Sequence, residues 1–553
     1  MTRLGRSPLL LSGVFGLVLS LGACGARTTL TLSDGSGGAT STASTGASAS
    51  TSGSGGGCTP GDVVPCAYSG PPGTEGVGVC RAGQATCAPD GATFGPCAGE
   101  VLPTAESCGD GADRDCDGDP ADCAIEALWA APAVTGGSAL VRDLAELPNG
   151  DLVVYGTFSG FLAWGGLTIA VGTDPQGFLA LFSPDGDVKE LRALVAKNGY
   201  LKPGAMAVDG AGNVYVSGGL AGSMDYANIT FFAPAQEDAF VLAVAGDLAP
   251  RWARVFSGPS ADIGWAVAAA GDAVYVGGQF ETNIDLGHGP VGGPAGDTDM
   301  FLVRLDTEGA NVWEKTYGEP QPQTLEVLAV LSGGELALAA TAAGSVDFGL
   351  GPLTVPDGAA HGVTALLTEN AGILANDVFA GQGSSYPRQL AAGAGGRLAI
   401  GGRTFGPTSW GGAPICVGSD GGVGTSFVVL TTGGAPGAVH CGADVLDVAL
   451  RPDGDALLLG GFNDTLTLGQ KTLSADGPQD FFLATFTPEG AYPVFGRAGD
   501  GSWNALDGRV VASAPGEAVV ALSYFGDFDL FGAPLPSGSS EATGLVVARL
   551  RVP

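Results

Sequence analysis

Met206-Ala207-Val208-Asp209-Gly210-Ala211-Gly212-Asn213-Val214-Tyr215-Val216-Ser217-Gly218-Gly219 reads as two short apolar runs joined at a turn glycine, the pattern of a β-hairpin. A glycine followed by Asp, Asn, Glu or Arg and then an apolar run recurs at Gly150, Gly212, Gly271, Gly334, Gly396, Gly454 and Gly516. Successive glycines are 62, 59, 63, 62, 58 and 62 residues apart, too regular for unrelated loops. Each repeat holds a second pair of runs. The first follows an Asp or a small polar residue, as in Phe178-Leu179-Ala180-Leu181, Phe240-Val241-Leu242-Ala243 and Phe482-Leu483-Ala484-Thr485, with Val363 and Leu545 replacing the Phe in two copies. The second carries a bulky residue, as in Arg251-Trp252-Ala253-Arg254-Val255-Phe256. Four strands per repeat are predicted and no amphipathic helix.

Four-stranded units repeated four to eight times are the signature of a β-propeller, whose radial arrangement protects strand edges. The two ends of the repeat region are complementary. The seventh repeat stops after its third strand at Val546 to Leu550, while Ala127-Leu128-Trp129 stands before the first repeat and matches the fourth strands around Trp252 and Trp313. Residues 124–553 resemble the seven-bladed β-propeller repeats of bacterial extracellular proteins. The predicted fold is all-β: a seven-bladed β-propeller of four-stranded blades with N-terminal strand closure, preceded by a small disulfide-rich module. An open β-solenoid is the alternative.

Upstream, Arg3 and Arg6 precede an apolar run from Leu9 to Leu21, the layout of a secretory signal. The run is too short for a membrane span, which needs roughly 20 apolar residues. It ends in Leu21-Gly22-Ala23-Cys24, which resembles the lipobox of bacterial lipoproteins. That resemblance implies a signal peptide over 1–23, acylation of Cys24 and attachment to a membrane through the lipid, and Gly25 after the cysteine suggests the outer membrane or cell surface. From residue 24 to 57, Ser, Thr, Gly and Ala dominate, the composition of a flexible linker.

Removing Cys24 from the 11 cysteines leaves an even number. Cys58, Cys66, Cys80, Cys87, Cys97, Cys108, Cys116 and Cys123 fall in a segment too poor in Leu, Ile and Phe to build a core, so disulfides are the expected source of its stability. About 105 pairings are open. Cys416 and Cys441 make a further pair within the fifth repeat. None of the clustered cysteines forms a CxxC, which argues against structural zinc.

The same segment ends in an acidic loop. Asp113, Asp115 and Asp117, with Gly118 and then Asp119, match the first half of a calcium loop, where hard oxygen ligands alternate before a turn glycine. Ala124 replaces the bidentate Glu of a full EF-hand. Residues 58–123 resemble the Cys- and Asp-rich metal-binding module of bacterial surface proteins, which implies Ca²⁺ as a cofactor. A solvated acidic loop stapled by Cys108, Cys116 and Cys123 is the competing reading.

With Lys+Arg 23 against Asp+Glu 56 and a net charge of -33, the chain offers no basic footprint for nucleic acid. The only histidines are His288, His361 and His440, in separate repeats, and no G-x-S-x-G elbow, H-E-x-x-H helix or P-loop occurs. No catalytic residue is assigned. Asp225, Asp285, Asp347 and Asp529 recur once per repeat, with Ser409 and Thr467 as counterparts, and are read as turn-stabilising side chains. Trp129, Trp252 and Trp313 are read as packing between repeats. The expected function is surface display of a binding or scaffolding domain for a protein or polysaccharide partner. The alternative is a glycan-active hydrolase or lyase, because acidic residues alone can run such chemistry.

Overall fold

The computed structural model describes residues 57–104, 112–114, 116, 124–292, 297–355, 359–416, 424–432, 435–469, 471–499, 507–535 and 543–553. Among them there is no α-helix; a single 3₁₀ turn at Ala394–Gly396 interrupts an otherwise all-β chain. The chain divides into two units, residues 1–62 with Cys87–Gly95, and Val63–Thr86 with Pro96–Pro553. In the first, Cys58 and Cys87 form a disulfide and the Cys87 amide donates to the Asp62 carbonyl at 2.8 Å. In the second, disulfides Cys66–Cys97 and Cys80–Cys116 flank a short antiparallel ladder of Val63–Pro65 on Gln84–Thr86. Cys108 and Cys123 lie outside the described residues.

From Glu126 onward the second unit is built of seven four-stranded antiparallel sheets. The first is Ala139–Glu146, Leu152–Phe158, Gln176–Phe182 and Val188–Lys197, paired in chain order. The next five follow the same order, beginning at Leu201–Val208, Ile263–Ala270, Gln323–Val330, Ser385–Ala392 and Asp444–Leu450. In the seventh, Asp507–Ala512, Glu517–Tyr524 and Gly544–Arg551 are completed by Glu126–Thr135, which pairs with Gly544–Arg551 from Glu126↔Arg551 to Ala133↔Leu545. The repeat glycines all take positive φ, from 59° at Gly271 to 101° at Gly454, a backbone region that L side chains resist.

Burial follows strand position. The second and third strands of the first sheet are buried at every residue, so both faces are covered and the sequence runs continuously apolar instead of alternating. Each sheet therefore needs a neighbour on both sides. Tyr155 and Leu179 of the first sheet pack with Val216 and Phe240 of the second; Tyr215 and Val241 of the second pack with Val274 and Phe301 of the third. The same holds along the series, and Val519 and Val547 of the seventh sheet share a core with Val154 and Phe178 of the first. Between the fourth and fifth sheets, the Trp410 indole donates to Thr364 Oγ1 at 3.0 Å, and Phe379 stacks on Trp410.

Two further devices join consecutive sheets. Trp129, Trp252 and Trp313, all on fourth strands, donate their indole N–H groups to Pro184, Thr307 and Glu369 carbonyls in the turn before the next sheet's fourth strand, at 3.0, 2.8 and 2.9 Å. In the first two of those turns a glycine gives the ring room: a Cβ on Gly309 would stand 2.8 Å from Trp252 Cδ2. Also, a small hairpin between second and third strands pairs with the preceding sheet's outer edge, through Ser223↔Lys197, Ala380↔Ser409 and Val134↔Ala163. Edges that would otherwise template aggregation are covered in this way.

Deleting residues 127–135 removes the strand that finishes the seventh sheet and is expected to lower the melting temperature by roughly 10 °C or more; an unchanged calorimetric transition would contradict its role. Gly309→Ala combines the positive φ of 80° with the clash on Trp252. It should cost about 1–3 kcal/mol in denaturant melts.

Candidate functional site

The first strand of each sheet is only half buried, because its inner side faces a cavity of about 750 Å³ to which all seven sheets contribute. Six of the seven first strands carry a β-bulge against the second strand, and the extra residue turns into this space. The bulges fall between Val141/Asp143, Pro203/Met206, Ile263/Ala266, Leu325/Val327, Pro387/Gln389 and Val445/Asp447. They place Arg142, Trp265, Glu326 and Arg388 on the cavity wall. A bulge leaves one residue unpaired and re-aims its side chain. Here the device brings charge out of strands that are otherwise apolar.

The residue after a bulge, and Arg509 at the matching place in the seventh first strand, which has no bulge, meets backbone groups of the next sheet. Asp143 Oδ2 accepts the Met206 amide at 2.8 Å, and Asp447 Oδ2 accepts the equivalent Val510 amide at 2.9 Å. Gln389 Nε2 donates to the Leu446 carbonyl at 2.9 Å, and Arg509 Nε to the Arg142 carbonyl at 2.7 Å, again at equivalent places. These four side chains join the first sheet to the second, the fifth to the sixth, the sixth to the seventh, and the seventh to the first.

The carboxyls of the cavity are thus largely committed. Burial pushes the Asp447 carboxyl up to about 7 and raises Asp143 as well, with Arg509 opposing both shifts. Burial alone would lower Arg509, but Asp507, Asp447 and Asp143 outweigh it and hold the guanidinium charged; Nη1 lies 2.7 Å from Asp507 Oδ1. Glu326 is raised by burial, opposed by Arg388 and by a hydrogen bond from Thr341 Oγ1 at 3.2 Å. Asp444 accepts Ser426 Oγ at 2.9 Å.

The arginines behave differently. Most arginine side chains in the described residues meet a carboxylate or a carbonyl, as in Arg549 on Glu146 and Glu517 or Arg254 on the Gly309 carbonyl. Among the described residues, Arg142, Arg388 and Arg403 have no salt bridge and no side-chain hydrogen bond, and Arg142 Nε is buried. All three line the cavity. Arg388 sits 6.0 Å over the Tyr386 ring, Arg403 is the cross-strand partner of Tyr386, and Phe405 meets that ring edge-on at 6.1 Å.

The residues singled out in the sequence lie elsewhere. Cys24, Asp115, Asp117 and Asp119 fall outside the described residues. Asp113 is buried, and its carbonyl accepts the Val79 amide at 2.9 Å. Among the described residues no group of His, Cys, Asp and Glu is arranged to hold a metal ion. Cys416 and Cys441 are bonded, tying the fifth repeat's small hairpin to its fourth strand. Asp285 Oδ1 accepts the Gly287 and Gly289 amides at 2.8 and 3.1 Å, and Asp347 and Asp529 cap glycine turns likewise. Asp225 departs from this pattern: Lys197 and Thr230 hold its carboxylate, because this hairpin continues the two main strands and has no glycine turn to cap. His361 is bonded to the Phe379 carbonyl and His440 to Tyr492, while burial lowers His440 to about 4; none of the three histidines lines the cavity.

Sequence reading passed over the cavity residues, although a signal was present. Arg142, Glu326 and Arg388 stand eight residues before their turn glycines Gly150, Gly334 and Gly396, and Asp143, Gln389, Asp447 and Arg509 stand seven before theirs. A polar residue at a fixed offset inside an apolar run marks the first strand that lines the cavity.

The raised acids set a pH dependence. Asp143, Asp447 and Glu326 bind protons more tightly folded than unfolded, so they stabilise the protein below the unfolded carboxyl range and lose that contribution as pH rises, for Asp447 through about 7. The melting temperature should fall between pH 5 and 8, and Asp447→Asn should flatten that fall while keeping an acceptor for Val510. An Asp447→Asn profile parallel to that of the unaltered protein would refute the assignment.

No family model and no curated protein matches the sequence. Solved structures do: a protein of unknown function from Bacteroides caccae, at 10% identity and a TM-score of 0.29, covering 66% of this chain and 92% of that one. A glucose dehydrogenase matches at 14% identity and a TM-score of 0.31 over 61% of this chain and 96% of that one. A puromycin hydrolase matches at 14% and 0.30 over 82% of this chain and 56% of that one. At these scores the likeness decides neither fold nor activity.

Proposed function

We propose that the protein is an exported, lipid-anchored binding protein of the cell surface, in which the seven sheets close into a seven-bladed β-propeller around the cavity. Support for closure comes from the core shared by the seventh and first sheets, from Arg509 on the Arg142 carbonyl, and from Trp129 on the Pro184 carbonyl. The lipid anchor rests on the sequence around Cys24, and residues 24–57 are a stalk to the Cys-rich module. Partners are a surface protein or a polysaccharide.

One observation carries binding over catalysis. Two cavity carboxyls, Asp143 and Asp447, are spent on the neighbouring sheet's backbone, whereas among the described residues Arg142, Arg388 and Arg403 on the same wall make no salt bridge or side-chain hydrogen bond. A hydrolase would need the reverse, two carboxyls directed at substrate. The rival reading, a glycan-active hydrolase or lyase, draws on Asp447, whose carboxyl near 7 suits proton transfer. Glycan and surface-protein pull-downs with the intact chain, run beside turnover assays on polysaccharides, separate the two: retention without turnover supports binding, and turnover abolished by Asp447→Asn supports the enzyme.

Two parts of the proposal are testable alone. Cys24→Ala should move the protein from the membrane fraction to the soluble fraction without altering its fold; membrane retention of that variant would remove the anchor. If Asp113, Asp115, Asp117 and Asp119 hold Ca²⁺, calorimetric titration should show binding at or below millimolar concentration, lost in Asp115→Asn/Asp117→Asn; absence of heat would favour the solvated loop.

A further inference from the structure

Among the described residues, the cavity places three guanidiniums without a salt bridge or side-chain hydrogen bond in a protein that carries Asp+Glu 56 against Lys+Arg 23. Arg142 is half-buried on this wall, while Arg388 and Arg403 are exposed along it, open to a ligand. Desolvating a charge without a partner is costly, and Arg142 Nε bears that cost. An anionic ligand would offset it.

The surroundings narrow the ligand. On the fifth sheet, Tyr386 has Arg403 opposite it in the ladder and Arg388 over its face, so an aromatic surface is flanked by two planar forks that match a carboxylate. Trp265 presents a second half-buried ring, its indole N–H held by Gln279 Oε1 at 3.0 Å. Beside Arg403 in the next ladder stands Ser426, whose hydroxyl donates to Asp444, leaving that carboxylate's second oxygen to accept from a ligand hydroxyl. Rings for an apolar face, arginines for a carboxylate and an acid for hydroxyls are the complement of an acidic sugar. The volume of about 750 Å³ falls within the range of small-molecule sites, roughly 300–1,000 Å³. A polymer's short segment fits and a folded protein does not.

We infer that the cavity is a binding site for a short uronic-acid saccharide, its carboxylate held by Arg388 and Arg403 and its ring faces by Tyr386 and Trp265. This rests on the binding reading above. Burial raises the carboxyls of Asp143, Asp447 and Glu326, which acts in the same direction by disfavouring the charges that would oppose a ligand anion.

The test is titration of the intact chain, following Trp fluorescence and heat, with trigalacturonate, neutral galactotriose and sodium sulfate. Trigalacturonate should bind at least tenfold more tightly than either control, and Arg388→Gln and Arg403→Gln should each weaken it roughly ten- to hundredfold. Both arginines are exposed and among the described residues make no salt bridge or side-chain hydrogen bond, so both variants should melt close to the unaltered protein, and Arg388→Lys should restore less than half of the lost binding free energy because Lys lacks the planar fork. Equal binding of acidic and neutral trimers, undiminished binding by both variants, or sulfate as tight as the trimer would overturn the inference. If pull-downs retain a neutral glycan or a protein equally in the Arg388→Gln/Arg403→Gln double variant, the binding reading stands and the acidic-sugar site falls. If no arm and no pull-down yields a ligand, both fall.

Discussion

Burial of both faces of the second and third strands, complete in the first and sixth sheets, is the constraint on which the architecture depends. A sheet such as the sixth, with Ala456–Phe462 and Asp480–Phe486 buried at all positions, cannot stand with a face in water. Burying a side chain such as Leu458 or Phe482 is worth about 1.5–3 kcal/mol, and each needs a second sheet to receive it. The first sheet would lack a neighbour on its leading side unless the seventh supplied one. Val519 and Val547 meet Val154 and Phe178 there, so the demand that stacks the sheets in series also binds the last to the first.

This constraint explains what the sequence made legible. Positive φ at the hairpin turn admits glycine at little cost, so the turns kept glycine at a nearly fixed period and the period could be read. The orphaned fourth strand was legible for a related reason: Trp129 performs the same packing and indole donation as Trp252 and Trp313, and a residue doing the same job keeps the same type. The turn aspartates were legible where glycines followed them. Asp225 was not, because its role depends on Lys197 in the preceding repeat, and a pairing across repeats leaves no local pattern.

The cavity was illegible for a different reason. A bulge is a fault in register between two strands, and register is a property of the pair, not of either sequence. Arg142 and Asp143 read as two polar residues in a poor strand until the shift between Val141 and Asp143 shows that they face different things, one the cavity and the other the next sheet's amide. The disulfide pairing was closed to sequence for the same kind of reason, since Cys58–Cys87, Cys66–Cys97 and Cys80–Cys116 are one choice among many of equal spacing.

The bulges therefore do two things with one irregularity. An unbroken first strand would alternate, sending every second side chain into the space between sheets, where only apolar groups are stable. Inserting one residue frees a position from that rule and exposes backbone groups that the next side chain can satisfy across the junction. Where that next residue is Asp143, Gln389 or Asp447, the junction is fastened and the group is used up, and Arg509 does the same from a first strand that has no bulge. The freed residue keeps its hydrogen-bonding capacity, as Arg142 and Arg388 do. In the first and fifth sheets, fastening by one residue and availability of its neighbour are consequences of the same insertion, which is why Arg142 and Arg388 stand on the cavity wall.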